Sequence, residues 1–88
     1  MAKRDYQDPV YKEIRLQCLK RDKRKCKMPG CGSKKRLEVH HIRKYSEAAS
    51  LRFELSNCIV LCHQCHASIK NKELHYVSLF EGIIRGYN

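Results

Sequence analysis

Residues 57–66 read Asn57-Cys58-Ile59-Val60-Leu61-Cys62-His63-Gln64-Cys65-His66. Ile59 to Leu61 reads as a strand, inside the longest unbroken apolar run of the chain. It runs straight into Cys62-His63-Gln64-Cys65, a C-x2-C pair whose spacing turns two thiolates toward one ion. A second pair, Cys26-Lys27-Met28-Pro29-Gly30-Cys31, is C-x4-C, and Pro29 and Gly30 supply the turn that folds it back on itself. In a reducing compartment such cysteines are metal ligands rather than disulfide partners. Two knuckles predict a tetrahedral zinc site of four thiolates, Cys26, Cys31, Cys62 and Cys65, with Zn–S bonds near ~2.3 Å. Cys58 also has ligand spacing to Cys62, but the C-x2-C pair is the stronger choice, which leaves Cys18 and Cys58 to the core. The competing reading is a set of buried free cysteines.

Upstream of this stretch, residues 36–41 alternate as a strand does, with Leu37 and Val39 on one face and Glu38 and His40 on the other. Asp8-Pro9 opens a helix expected to run to about Lys23, with Asp8 as N-cap. Its apolar stripe is Val10, Ile14 and Cys18, flanked by Tyr11 and Leu19. Residues 46–51 suggest a short helical turn, and residues 65–70 a helix. A last helix is expected over 72–85, with Leu74, Val77, Phe80, Ile83 and Ile84 on one side and an end near Gly86. The order is helix, knuckle, strand, long loop, strand, knuckle, helix. This is an α+β domain in which zinc clamps the open ends of a strand pair that is marginal alone.

A chain of 88 residues forms a single domain over 1–88 with a modest core; Leu, Ile, Val and Phe number 20. The run from Cys58 to Cys62 is far short of the ~18 to 20 residues of a membrane span. No apolar stretch follows Met1-Ala2-Lys3-Arg4-Asp5, so no secretory signal is expected and the chain reads as cytoplasmic, in a bacterial cell. Net charge is +10 and lopsided: residues 1–36 carry 13 basic and 4 acidic side chains, and residues 37–88 carry 6 and 5. Such asymmetry favours an anionic polymer, nucleic acid, over a merely solvated surface. Lys20-Arg21-Asp22-Lys23-Arg24-Lys25, Lys34-Lys35-Arg36 and Arg43-Lys44 are the expected phosphate contacts. No helix-turn-helix or classical finger pattern accompanies them, so backbone contacts should dominate over base reading.

The histidines carry the remaining signal. His40 and His41 are adjacent at the end of a strand and point to opposite faces, so one can hold a metal while the other faces water. His66 opens the element after the second strand and can fold back towards His40 if the strands pair. Imidazole is both a common metal ligand and a base suited to neutral pH.

With the doublet His40-His41, Asn57, and His66 nine residues later, the sequence resembles the HNH endonuclease family. The flanking Cys26, Cys31, Cys62 and Cys65, and the stretch Leu19-Lys20-Arg21-Asp22, are similar to its zinc-bound subgroup. The resemblance covers roughly residues 14–70. It implies a small ββα-metal, treble-clef-like domain with flanking helices, acting as a metal-dependent DNA endonuclease. By that resemblance His40 and His66 would hold one catalytic divalent ion (Mg²⁺, Mn²⁺, Ni²⁺ or Co²⁺), His41 would be the general base, and Asn57 would orient His41. The four-cysteine zinc would be closed and structural. Lys70 stands where some members carry a third histidine, and is a candidate phosphate contact. His63 is expected to face solvent or phosphate, and His75 to lie on the surface. Stand-alone members of this size resemble those of phages and prophages, which makes phage packaging proteins candidate partners. A monomer or weak dimer with one site per chain would nick DNA. The alternatives are a zinc-stabilised nucleic-acid-binding module without catalysis, and an adaptor that meets an acidic protein.

Overall fold

The computed structural model describes residues 9–43 and 54–86. The N-cap expected at Asp8 and the helical turn expected over 46–51 lie outside the described residues. The elements are helix α1 (Pro9–Arg21), strand β1 (Leu37–His41), a 3-10 turn (Leu55–Asn57), strand β2 (Cys58–Cys62), helix α2 (His63–Ser68), a second 3-10 turn (Glu73–Tyr76) and helix α3 (Val77–Arg85). β1 and β2 form an antiparallel pair in which Leu37 faces Cys62, Val39 faces Val60 and His41 faces Cys58.

Every residue of β2 is buried. The unbroken apolar run has its cause here, because the strand is covered on both faces. Cys58 and Val60 pack with Cys18, Leu19 and Val39 under α1. Ile59 and Leu61 pack with Ile42, Ile69 and Phe80 on the opposite face, in a cluster that also takes in Cys26 and Cys62. Cys18 and Cys58 are core residues, as expected, and burial pushes the Cys58 thiol up to about 11.

Two readings of the helices change. On α1 the buried residues are Tyr11, Cys18 and Leu19, whereas Val10 is 51% exposed. Ile14 and Cys18 face the sheet as the spacing suggests, Tyr11 rather than Val10 begins the stripe, and it ends on the fully buried Asp22. Helix α1 stops at Arg21 because Lys23 and Arg24 take left-handed backbone angles, φ 58° and 53°, and the Arg24 amide returns to the Leu19 carbonyl at 2.8 Å. At the other end, the continuous helix expected from Lys72 is a 3-10 turn followed by α3, and Leu74 is 79% exposed. The tighter 3-10 winding shifts the face that Leu74 would otherwise share with Val77 and Phe80.

The far edge of β2 is closed by polar groups from the α1 end. Val60 N–H donates to Asp22 Oδ2 at 2.9 Å, and the Val60 carbonyl accepts from Lys27 N–H at 2.9 Å. Asp22 is held by Arg21, whose Nε reaches Oδ1 at 2.9 Å and whose Nη2 reaches Oδ2 at 3.0 Å. The same guanidinium donates to the carbonyls of Leu55, at 2.6 Å, and Cys58. Arg21, expected to contact phosphate as part of the 20–25 run, instead joins Asp22 in binding α1 to the strand edge. Asp22→Ala leaves Val60 N–H and the guanidinium without their acceptor. It should cost about 3–5 kcal/mol, the usual effect of removing one partner of a buried pair. Urea denaturation followed by circular dichroism measures it, and a loss under about 1 kcal/mol would refute a structural role for the pair.

Candidate metal centre and histidine site

The first knuckle is a turn with Pro29 and Gly30 at its centre. Cys31 N–H returns to the Met28 carbonyl at 3.0 Å, and Gly30 has φ 85°. Proline followed by a residue of positive φ is the signature of a type II turn, and only glycine takes that second position without strain. Cys26 N–H donates to the Ser33 carbonyl at 2.7 Å and closes the loop. The second knuckle forms where β2 becomes α2, and Cys62 Sγ caps the helix by accepting from Cys65 N–H at 3.4 Å. That amide holds the Cys62 thiol down to about 7, while burial raises Cys26.

The sulfurs of Cys26, Cys31, Cys62 and Cys65 all lie within 4.8 Å of one another. Cys31 Sγ and Cys62 Sγ are 3.9 Å apart. Thiolates at ~2.3 Å from one tetrahedral ion stand roughly 3.8 Å apart, so the donor set has the size and chemistry of a structural zinc site. These are the four cysteines expected from the sequence, with Cys62 rather than Cys58.

The histidines assemble beside this centre. His40 Nδ1 and His66 Nε2 are 3.3 Å apart, with the rings edge to face at 5.1 Å. Phe80 of α3 packs edge-on against His40 at 5.6 Å, so the last helix fixes the orientation of this imidazole. His41 turns to the other face, buried at 4% exposure, and stacks on Tyr11 of α1 at 6.5 Å. Asn57 is buried and reaches across the connection between the strands. Its Oδ1 accepts from Arg43 N–H at 2.9 Å, and its Nδ2 donates to the Arg43 carbonyl at 3.1 Å. Its own carbonyl accepts from Ile42 N–H at 2.8 Å. Asn57 therefore fixes the chain just beyond His41.

Glu38 is the residue the sequence reading passed over as a site member. Its two carboxylate oxygens meet His66 Nδ1 at 2.7 Å and His63 Nδ1 at 2.8 Å. The hydrogen bonds, that of His63 first, hold its carboxyl below the usual carboxylate range. The alternation that set Glu38 and His40 on one face was the available signal. His63 is exposed and bonded to Glu38, and His75 is on the surface, as expected. Arg43, expected to contact phosphate, makes a two-point ion pair with Glu81 at 3.1 and 3.4 Å; Lys44 lies outside the described residues.

No helix among the described residues is long and apolar enough to cross a membrane. No match to this chain was found among curated proteins or solved structures. The profile of the HNH endonuclease family matches residues 17–72, which span both cysteine pairs, the histidine doublet, Asn57 and His66. With a two-stranded antiparallel sheet, a helix against it and four clustered cysteines, the chain belongs to the HNH endonuclease family.

Proposed function

We propose that this protein is a metal-dependent DNA endonuclease that hydrolyses phosphodiester bonds, nicking one strand at its single site. One observation carries the reading: His40 Nδ1 and His66 Nε2 converge to 3.3 Å at the junction of β1 and α2. Two imidazole nitrogens at ~2.0–2.1 Å from a single ion stand roughly 3 to 3.4 Å apart, so the pair fits a divalent cation as it is. His66 offers Nε2 to that position because its Nδ1 is engaged by Glu38, which sets tautomer and ring direction together. A bound divalent ion supplies Lewis acidity to the phosphoryl and leaving oxygens.

The chain's own residues do the rest. His41 takes the proton of the attacking water, and a neutral imidazole is the form that accepts it. Asn57 holds the backbone after His41 through both groups of Arg43, which keeps the base from drifting. The four cysteines would hold zinc with no open position, so that ion would organise the fold and stay out of the chemistry. The basic surface meets the phosphates of DNA.

The direct experiment is relaxation of supercoiled plasmid by chelator-treated protein, with Mg²⁺, Mn²⁺, Ni²⁺ or Co²⁺ restored singly. Open circles that need the added ion support the nuclease. Binding of DNA with no cutting under any ion would leave a zinc-stabilised binding module. Glu38→Gln should weaken the divalent-ion site about 10- to 100-fold, the usual effect of removing a carboxylate behind a ligating histidine. Titration calorimetry with Mn²⁺ measures it, and the ion concentration for half-maximal nicking should rise in parallel. Unchanged Mn²⁺ affinity would remove Glu38 from the site.

A further inference from the structure

Two clefts meet at the Glu38–His66 contact. One, of about 570 Å³, lies between α1 and β1 and carries Lys12 and Arg15 on its helical wall. The other, of about 370 Å³, lies along α2 and carries Lys70. Glu38 and His66 line both. From the His66 imidazole, then, one groove leads to two cations and another to a third. Lys12 and Arg15 are three residues apart on α1 and therefore neighbours on its exposed face. None of the three cations has an ion-pair partner among the described residues. Arg21 and Arg43, in contrast, are bound to Asp22 and Glu81. Glu73 also lines the second cleft, while the Glu38 carboxylate is already occupied by His63 and His66.

From this arrangement we infer that a DNA strand crosses the His40–His66 pair along these two clefts, with the phosphates on one side of the cut on Lys12 and Arg15 and those on the other on Lys70. The inference rests on the DNA reading above and assigns its footprint. It moves the principal contact away from the 20–25 run, whose Lys23 and Arg24 lie 11 and 12 residues further along the chain from Lys12, beyond the far end of α1. Cations on both sides of the reacting phosphate bind the strand across the metal pair and add electrostatic affinity for any sequence. Tyr11, at the same end of α1, is stacked on His41, so the cleft offers charge rather than base stacking.

Anisotropy of a short fluorescein-labelled DNA duplex across a KCl series, without added divalent ion, tests this in the full chain. Lys12→Ala/Arg15→Ala should lower the magnitude of the log K against log [salt] slope by about 2, and Lys70→Ala by about 1. Circular dichroism and the thermal midpoint should remain those of the wild type, since all three side chains are exposed. In the plasmid assay the double variant should raise KM for DNA with kcat little changed. An unchanged slope and affinity in the double variant overturn the inference, as does a loss confined to Lys23→Ala/Arg24→Ala. Failure of the wild type to bind the duplex overturns it too. A wild type that binds along the clefts but never nicks would sink the nuclease reading alone.

Discussion

His41→Ala should lower metal-dependent nicking about 10²- to 10⁴-fold, the range a positioned general base contributes. The loss should fall on kcat, with KM for DNA and affinity for the divalent ion unchanged, because the candidate ion site is built by His40 and His66, whereas His41 stacks on Tyr11, which lines the same cleft as His66. The imidazole is buried, so its removal also leaves a cavity, and His41→Gln, which fills most of the space but cannot act as a base near neutral pH, separates chemistry from packing. If His41 is the base, both variants should lose kcat while keeping duplex affinity. Plasmid relaxation with zinc content and circular dichroism on the same samples decides the matter. Folded, zinc-loaded His41→Gln that nicks at the wild-type rate would remove His41 from the reaction.

Much of this site was legible in the sequence because its signals are short-range. The C-x4-C and C-x2-C knuckles each specify their own turn, and the turns need only one strand pairing to meet. The same pairing, Val39 opposite Val60, brings α2 back over His40. What escaped notice depends on contacts made across the fold. Glu38 looked like the polar side of an alternating strand, and nothing local says that its two oxygens take two histidines from α2. Asp22 sat inside a basic run that suggested a solvated or phosphate-binding surface, yet it is the acceptor for a strand amide 38 residues away. Phe80, on a helix without family signal, turned out to brace His40. On α1 the spacing that includes Ile14 and Cys18 holds, but Val10 and Tyr11 are both apolar, and only packing against the sheet selects Tyr11.

Stripping the ion from the four cysteines should unfold the chain. Strands of five residues in a two-stranded sheet are marginal alone, and here both halves of the centre hold that sheet. The first knuckle bonds to the free edge of β2 through Lys27 N–H, and Cys62 is both the last residue of β2 and the cap of α2. An ion joining the two pairs therefore ties edge, strand and helix at one point. Structural zinc binding is worth ~10–16 kcal/mol in small domains near neutral pH, as much as the ~5–15 kcal/mol by which whole domains are stable. Without the ion four sulfurs remain within 4.8 Å of one another, Cys26 buried among Ile59, Leu61 and Phe80. EDTA dialysis should leave one zinc per chain, because a closed four-thiolate site releases its ion slowly and binds it tightly. A mercurial that reacts with thiols should release that zinc together with the helical circular dichroism signal, and excess dithiol with fresh Zn²⁺ should restore both. Acid should act in the same direction, since the thiolates must take up protons as pH falls and the ion is then lost. Cys31→Ser tests the geometry with the least disturbance, because Cys31 is the exposed ligand and its loss opens no core. That variant should melt well below the wild type and lose nicking with it, because β1 and α2 carry His40 and His66 and are held together at this point. Wild-type melting in a zinc-free chain would show the sheet to be self-sufficient and the cysteine cluster to be dispensable for the fold.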